Sequence, residues 1–161
     1  MGFARKVVQA LIACAIALAG IVALDTPASA YDSRSCGTTQ RKSFDTPGDN
    51  VVLWITPCVE RSGSSSRANL IFEWTHGDGL VNDYDYFEVI SRLEKNDAYI
   101  ESSVCFLTGA INQNYSGTYN CRTAYHSGTR IYTADGKANY DINNDGEGMQ
   151  PAWEITGSPV Y

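Results

Sequence analysis

Leu70, Phe72 and Trp74 stand two residues apart, and Phe87, Val89, Ser91 and Leu93 repeat that spacing with Glu88, Ile90, Arg92 and Glu94 between them. Successive side chains of an extended strand point to opposite faces, so a period of two marks strands with one buried face. After residue 30 no segment sustains the apolar i, i+3, i+4, i+7 spacing of an amphipathic helix. Turn signals recur about every ten residues, the rhythm of packed antiparallel sheets. The expected fold is therefore all-β: an antiparallel sandwich, or a barrel-like variant, of about eight strands.

The strands expected are residues 50–59, 68–75, 84–94, 98–107, 117–125, 129–133, 137–142 and 151–156. Residues 31–50 read as an irregular arm, 61–67 as a flexible Gly/Ser loop and 111–116 as an Asn/Gln-rich loop. Asp135-Gly136, between two alternating segments, is a two-residue hairpin signal.

The first thirty residues are of a different kind. Arg5 and Lys6 precede an uncharged run over residues 7–24, and Ala28-Ser29-Ala30 supplies a small-residue cleavage site. This is the pattern of an export signal, with residues 31–161 as the secreted domain. Two rivals use the same stretch: a retained membrane anchor, and lipidation at Cys14 within Leu11-Ile12-Ala13-Cys14. Cleavage leaves Cys36, Cys58, Cys105 and Cys121. An even number of cysteines in an exported chain reads as disulfides, and the pairing Cys36–Cys58 with Cys105–Cys121 joins neighbouring segments. The cysteines lie too far apart in sequence, with no C-x-x-C, for a zinc site.

Past residue 30 there are 10 basic and 17 acidic residues, a net charge of −7. An acidic domain repels phosphate backbones, so neither nucleic acid nor an anionic membrane is an expected partner. No long apolar run follows the leader, so no membrane insertion is expected after cleavage.

Asp141-Ile142-Asn143-Asn144-Asp145-Gly146 matches the opening of a calcium loop, D-x-[DN]-x-[DN]-G. Asp141, Asn143 and Asp145 would offer side-chain oxygens and Glu147 its carbonyl to a structural Ca²⁺ ion. The resemblance to the EF-hand family ends there, because Ala152 stands where that family places a bidentate glutamate. The competing reading is an ordinary turn, for which Asn, Asp and Gly are the usual residues.

For catalysis, Glu73, His76, Asp78, Asp83 and Asp85 form the richest local group, one a small hydrolase could use. A solvated polar turn explains the same residues, and no nucleophile elbow, zinc-protease motif or phosphate loop occurs. Tyrosines are the other hint. Tyr115 and Tyr119, near Asn112, Asn114 and Asn120, would make a stacking platform with hydrogen-bonding neighbours, and Tyr125 follows closely. Aromatic cross-strand pairs inside a sheet account for such residues equally well. Asn114-Tyr115-Ser116 also fits a glycosylation acceptor, which a bacterial style of leader argues against.

An Ala-rich leader, four remaining cysteines, and an ending that runs from Tyr140-Asp141-Ile142-Asn143-Asn144-Asp145-Gly146 through Trp153-Glu154-Ile155-Thr156-Gly157-Ser158-Pro159 together resemble the small secreted proteins of actinobacteria. That resemblance implies a compartment and no activity. The leading expectation is an extracellular binding module for carbohydrate or a protein surface, with structural Ca²⁺ as its one candidate cofactor. The alternatives are a secreted inhibitor or toxin-like effector, using residues 61–67 or 111–117, and a hydrolase at His76.

Overall fold

The computed structural model describes residues 33–47, 50–77, 82–128 and 131–161. The expected leader, residues 1–30, lies outside them. The described residues form ten strands and one short helix: β1 (Ser33–Cys36), β2 (Gln40–Phe44), β3 (Val51–Ser62), β4 (Ser65–Thr75), β5 (Tyr84–Lys95), β6 (Ala98–Phe106), α1 (Thr108–Gln113), β7 (Ser116–Arg122), β8 (His126–Ser127), β9 (Tyr132–Ile142) and β10 (Trp153–Ile155). Two antiparallel sheets face each other and do not close into a barrel.

In the first sheet β3 and β4 are central. Both β1 and β2 pair with β3, and both β7 and β8 pair with β4. The second sheet runs β10-β9-β5-β6. Pro57 explains why β3 has two successive partners on one side. It has no N–H to donate, and it lies between the β2 register ending at Ile55 and the β1 register starting at Cys58.

Alternation sets the core. From β3 and β4, Leu53, Ile55, Leu70, Phe72 and Trp74 point inward and meet Phe87 and Val89 of β5 and Tyr140 of β9. Phe44 of β2 packs edge-on against Tyr84, Phe87 and Tyr140, which favours the ring quadrupoles. A second cluster of Val59, Ala68, Leu93, Tyr132 and Ala134 fills the other end.

Several expectations are corrected. Asp135-Gly136 is not a hairpin turn; it lies within the continuous strand β9. Gly136 pairs with Ser91 of β5 and faces the first sheet, where an added Cβ would come within 2.7 Å of Leu70 Cδ1 and collide with the Ile90 carbonyl. Glycine is needed there for close approach of two backbones, a use that local sequence cannot distinguish from a turn. Residues 61–67 are not a flexible loop, since β3 and β4 run on to a two-residue turn in which Gly63 takes φ +58°. The polar arm at 31–50 carries β1 and β2, held by the ladder on β3. Residues 111–113 are helical. At residues 95–97 the expected turn is present, with Asn96 and Asp97 both left-handed at φ 52° and 59°.

The two sheets are fastened along both open sides. Cys36–Cys58 lies within the first sheet, whereas Cys105–Cys121 joins β6 of the second sheet to β7 of the first. On the opposite side Gln40 of β2 bonds Thr156 twice: its Nε2 donates to the Thr156 carbonyl at 3.0 Å and its Oε1 accepts from the Thr156 N–H at 2.9 Å.

Two outcomes follow. Gly136→Val should destabilise the domain by about 3 kcal/mol or more, because the methyls have no space between packed sheets; urea unfolding measures this. Replacing Cys105 and Cys121 together by Ser should cost about 3 kcal/mol through the restored freedom of the unfolded chain, read as a lower unfolding midpoint.

Candidate functional site

The asparagines of the expected platform serve the fold. Asn112, on α1, accepts the N–H groups of Asp83 and Tyr84 on Oδ1, both at 3.2 Å, and donates Nδ2 to the Tyr84 carbonyl at 2.8 Å. It thereby fixes the start of β5. Asn114 ends the helix, donating Nδ2 to the Ala110 carbonyl, while its own carbonyl accepts the Trp74 indole N–H at 3.0 Å. Tyr115, Tyr119 and Tyr125 remain 44%, 43% and 40% exposed. Tyr115 donates its hydroxyl to the Gly77 carbonyl and lies beside the His76 ring. Tyr119 shares the inward parity of Gly117 and Cys121 and reaches solvent at the rim of β7. Asn120 has the opposite parity. The platform residues therefore do not share one face.

His76 is buried and does find a carboxylate: Nδ1 lies 2.8 Å from Asp83 Oδ2. Its Nε2 lies 3.0 Å from the Ile111 carbonyl oxygen, which can only accept, so Nε2 carries a proton. This nitrogen pair joins the start of β5 to α1, and the Nε2 position that a nucleophile would need is taken by main chain. Glu73 and Asp85 are exposed and Asp78 lies outside the described residues, so the expected acid–base group is reduced to His76 and Asp83.

The loop after β9 is closed by its own hydrogen bonds. Asp145 accepts the Glu147 N–H on Oδ1 at 2.8 Å and Gln150 Nε2 on Oδ2 at 2.9 Å, and Gln150 also reaches Glu147 at 3.1 Å. Asn143 turns its amide to the Asn82 carbonyl, and Asp141 stays on β9 with the outward parity of Asn139. Asn144, Gly146 and Gly148 take φ of 59°, 74° and 71°. Among the described residues no group of three or more His, Cys, Asp or Glu is placed to hold a metal ion.

A different surface is better furnished. On the outer face of the first sheet, register aligns Arg41, Trp54, Glu73 and Thr118 in one row across β2, β3, β4 and β7. An open cleft of about 470 Å³ lies here, lined by Trp54, Glu73, Trp74, Ser116, Gly117 and Thr118. Gly117 has no side chain because the Trp74 indole occupies the place its Cβ would take. Trp54 is half-buried in the phase of Val52 and Thr56, out of step with core-facing Val51, Leu53 and Ile55. An aromatic on the polar phase of a strand was the available sequence signal for this site.

Further along the same face Glu60 is nearly buried among cations. Its Oε2 lies 2.7 Å from Arg67 Nη2 and 3.3 Å from Arg122 Nε, and its Oε1 accepts Asn69 Nδ2 at 2.7 Å. Arg34 of β1 pairs across from it, and the Arg67 guanidinium sits 4.4 Å from the Tyr125 ring centre. Burial by itself would raise the Glu60 pKa; the Asn69 and Arg67 hydrogen bonds and both arginine charges outweigh it and hold the carboxyl below its ordinary value.

Comparison with known protein families, with characterised proteins and with solved structures finds no match.

A carboxyl whose folded pKa is depressed adds stability above its unfolded pKa, and that stability is lost as pH falls through the folded value. Glu60 therefore contributes fully above about pH 4.5 and progressively less in stronger acid. The stability difference between the native protein and Glu60→Gln should shrink on acidification below that point, as followed by thermal melts across a pH series.

Proposed function

We propose that this protein is an extracellular binding module that takes a glycan on the outer face of its first sheet, with Trp54 as the stacking platform. The observation that carries this reading is the open cleft beside Trp54. It is open rather than enclosed, which suits a sugar chain lying on a sheet. An indole offers a flat apolar face to the C–H side of a sugar ring, while Glu73, Ser116 and Thr118 offer hydrogen-bonding groups to its hydroxyls. Two disulfides are typical of extracellular proteins, and no helix among the described residues is long and apolar enough to cross a membrane. Secretion by the N-terminal leader belongs to the same proposal.

The competing functions draw less support. An inhibitor needs a protruding recognition loop, whereas residues 61–67 form a tight hairpin and residues 111–117 are bonded into the fold. A hydrolase at His76 draws little from the described residues, where the ring is buried and its Nε2 faces the Ile111 carbonyl. Calcium, in this reading, is no part of the sugar site, which lies on the other sheet from Asp141.

Trp54→Ala should weaken binding on a glycan array by at least about tenfold, equivalent to ~1.4 kcal/mol. Its melting temperature should stay near that of the native protein, since the ring points away from the core. Array binding that is unchanged by the substitution would refute the proposal. Binding that disappears with EDTA would show that the 141–147 loop takes part after all.

A further inference from the structure

The chain is acidic as a whole, yet its charge is divided between the two outer faces. In the first sheet the outward positions of paired strands carry Arg34, Arg41, Arg67 and Arg122 against Glu60 and Glu73, a net +2. In the second sheet they carry Arg92 and Lys137 against Glu88, Glu94, Asp135, Asp141 and Glu154, a net −3. Two of the arginines on the first sheet, Arg67 and Arg122, are held in place. Glu60 is one carboxylate bound to both Arg67 and Arg122, with Arg34 across from it in register, so it orders two guanidiniums without neutralising the group. The Tyr125 ring braces Arg67, and Arg122 keeps 43% of its side chain exposed.

From this charge division, and resting on the glycan reading above, we infer that the ligand is an anionic polysaccharide, a linear chain bearing carboxylates, that runs from Trp54 to the Arg34–Arg122 array. Trp54 and Glu60 lie six residues apart on one face of β3, ~20 Å at about 3.4 Å per residue. Arg34 and Arg122 are on strands separated by β3 and β4, ~14 Å at about 4.8 Å per strand. Positive groups so dispersed match repeated charges along a polymer better than one compact anion. Glu73, beside Trp54, sets the polarity: it accepts hydroxyls from a sugar ring on the indole and keeps carboxylates toward the arginines. Guanidinium and carboxylate form paired, charge-assisted hydrogen bonds, so each contact adds orientation as well as attraction.

The test uses polygalacturonate and its methyl ester, which share a backbone and differ in charge, with single-stranded DNA as a non-sugar polyanion. Polygalacturonate should bind at least about tenfold more tightly than the ester, and added salt should weaken it. Arg34→Gln with Arg122→Gln should bring polygalacturonate down to the level of the ester, while Arg122→Lys keeps part of the difference; circular dichroism checks that each variant is folded. Trp54→Ala should weaken both polymers. Equal binding of the two polymers, lost in Trp54→Ala, would overturn the anionic ligand and leave the glycan reading standing. Polygalacturonate binding that ignores Trp54→Ala, or tighter binding to DNA, would leave a polyanion site and overturn the glycan. Binding to none of the three polymers would overturn both.

Discussion

The closeness of the two sheets at β9 is the constraint on which the rest depends. Ala134, Gly136 and Ala138 face inward in succession, and Gly136 brings the β9 backbone against Leu70. Because that stripe is small, the large residues can gather at one end, where Phe44, Phe72, Phe87 and Tyr140 interlock. Tight packing there also keeps the first sheet a regular support, so that four residues from four strands can line up beside the cleft.

Much of the architecture is legible in the sequence. Alternation gives the all-β class and the faces of β4 and β5, and both disulfides are those expected from pairing neighbouring segments. What is hidden depends on distant partners. Asp135-Gly136 has the letters of a turn, but its glycine answers to Leu70, sixty-six residues earlier in the chain. The arm at 31–50 is too polar to read as strand, and becomes one because β3 offers it an unpaired edge.

The site was less legible for the same reason. Tyr115, Tyr119, Asn112 and Asn114 cluster in sequence, yet strand parity and α1 send them to separate tasks. Trp54, Glu60 and Arg122 are scattered in sequence and meet only through the β3–β4–β7 register. His76 and Asp83 did come together as their spacing allows, in a buried pair whose second nitrogen holds main chain.

The register also fixes how the domain can be moored. Ser33 pairs with Arg61, and the Arg61 guanidinium lies 5.0 Å from the Tyr161 ring centre, so the first and last described residues share one end of the sandwich. Trp54 is seven residues up β3 from that end, ~24 Å away along the strand. A tether joined beyond Ser33 or Tyr161 would therefore attach at the end of the sandwich farther from the tryptophan.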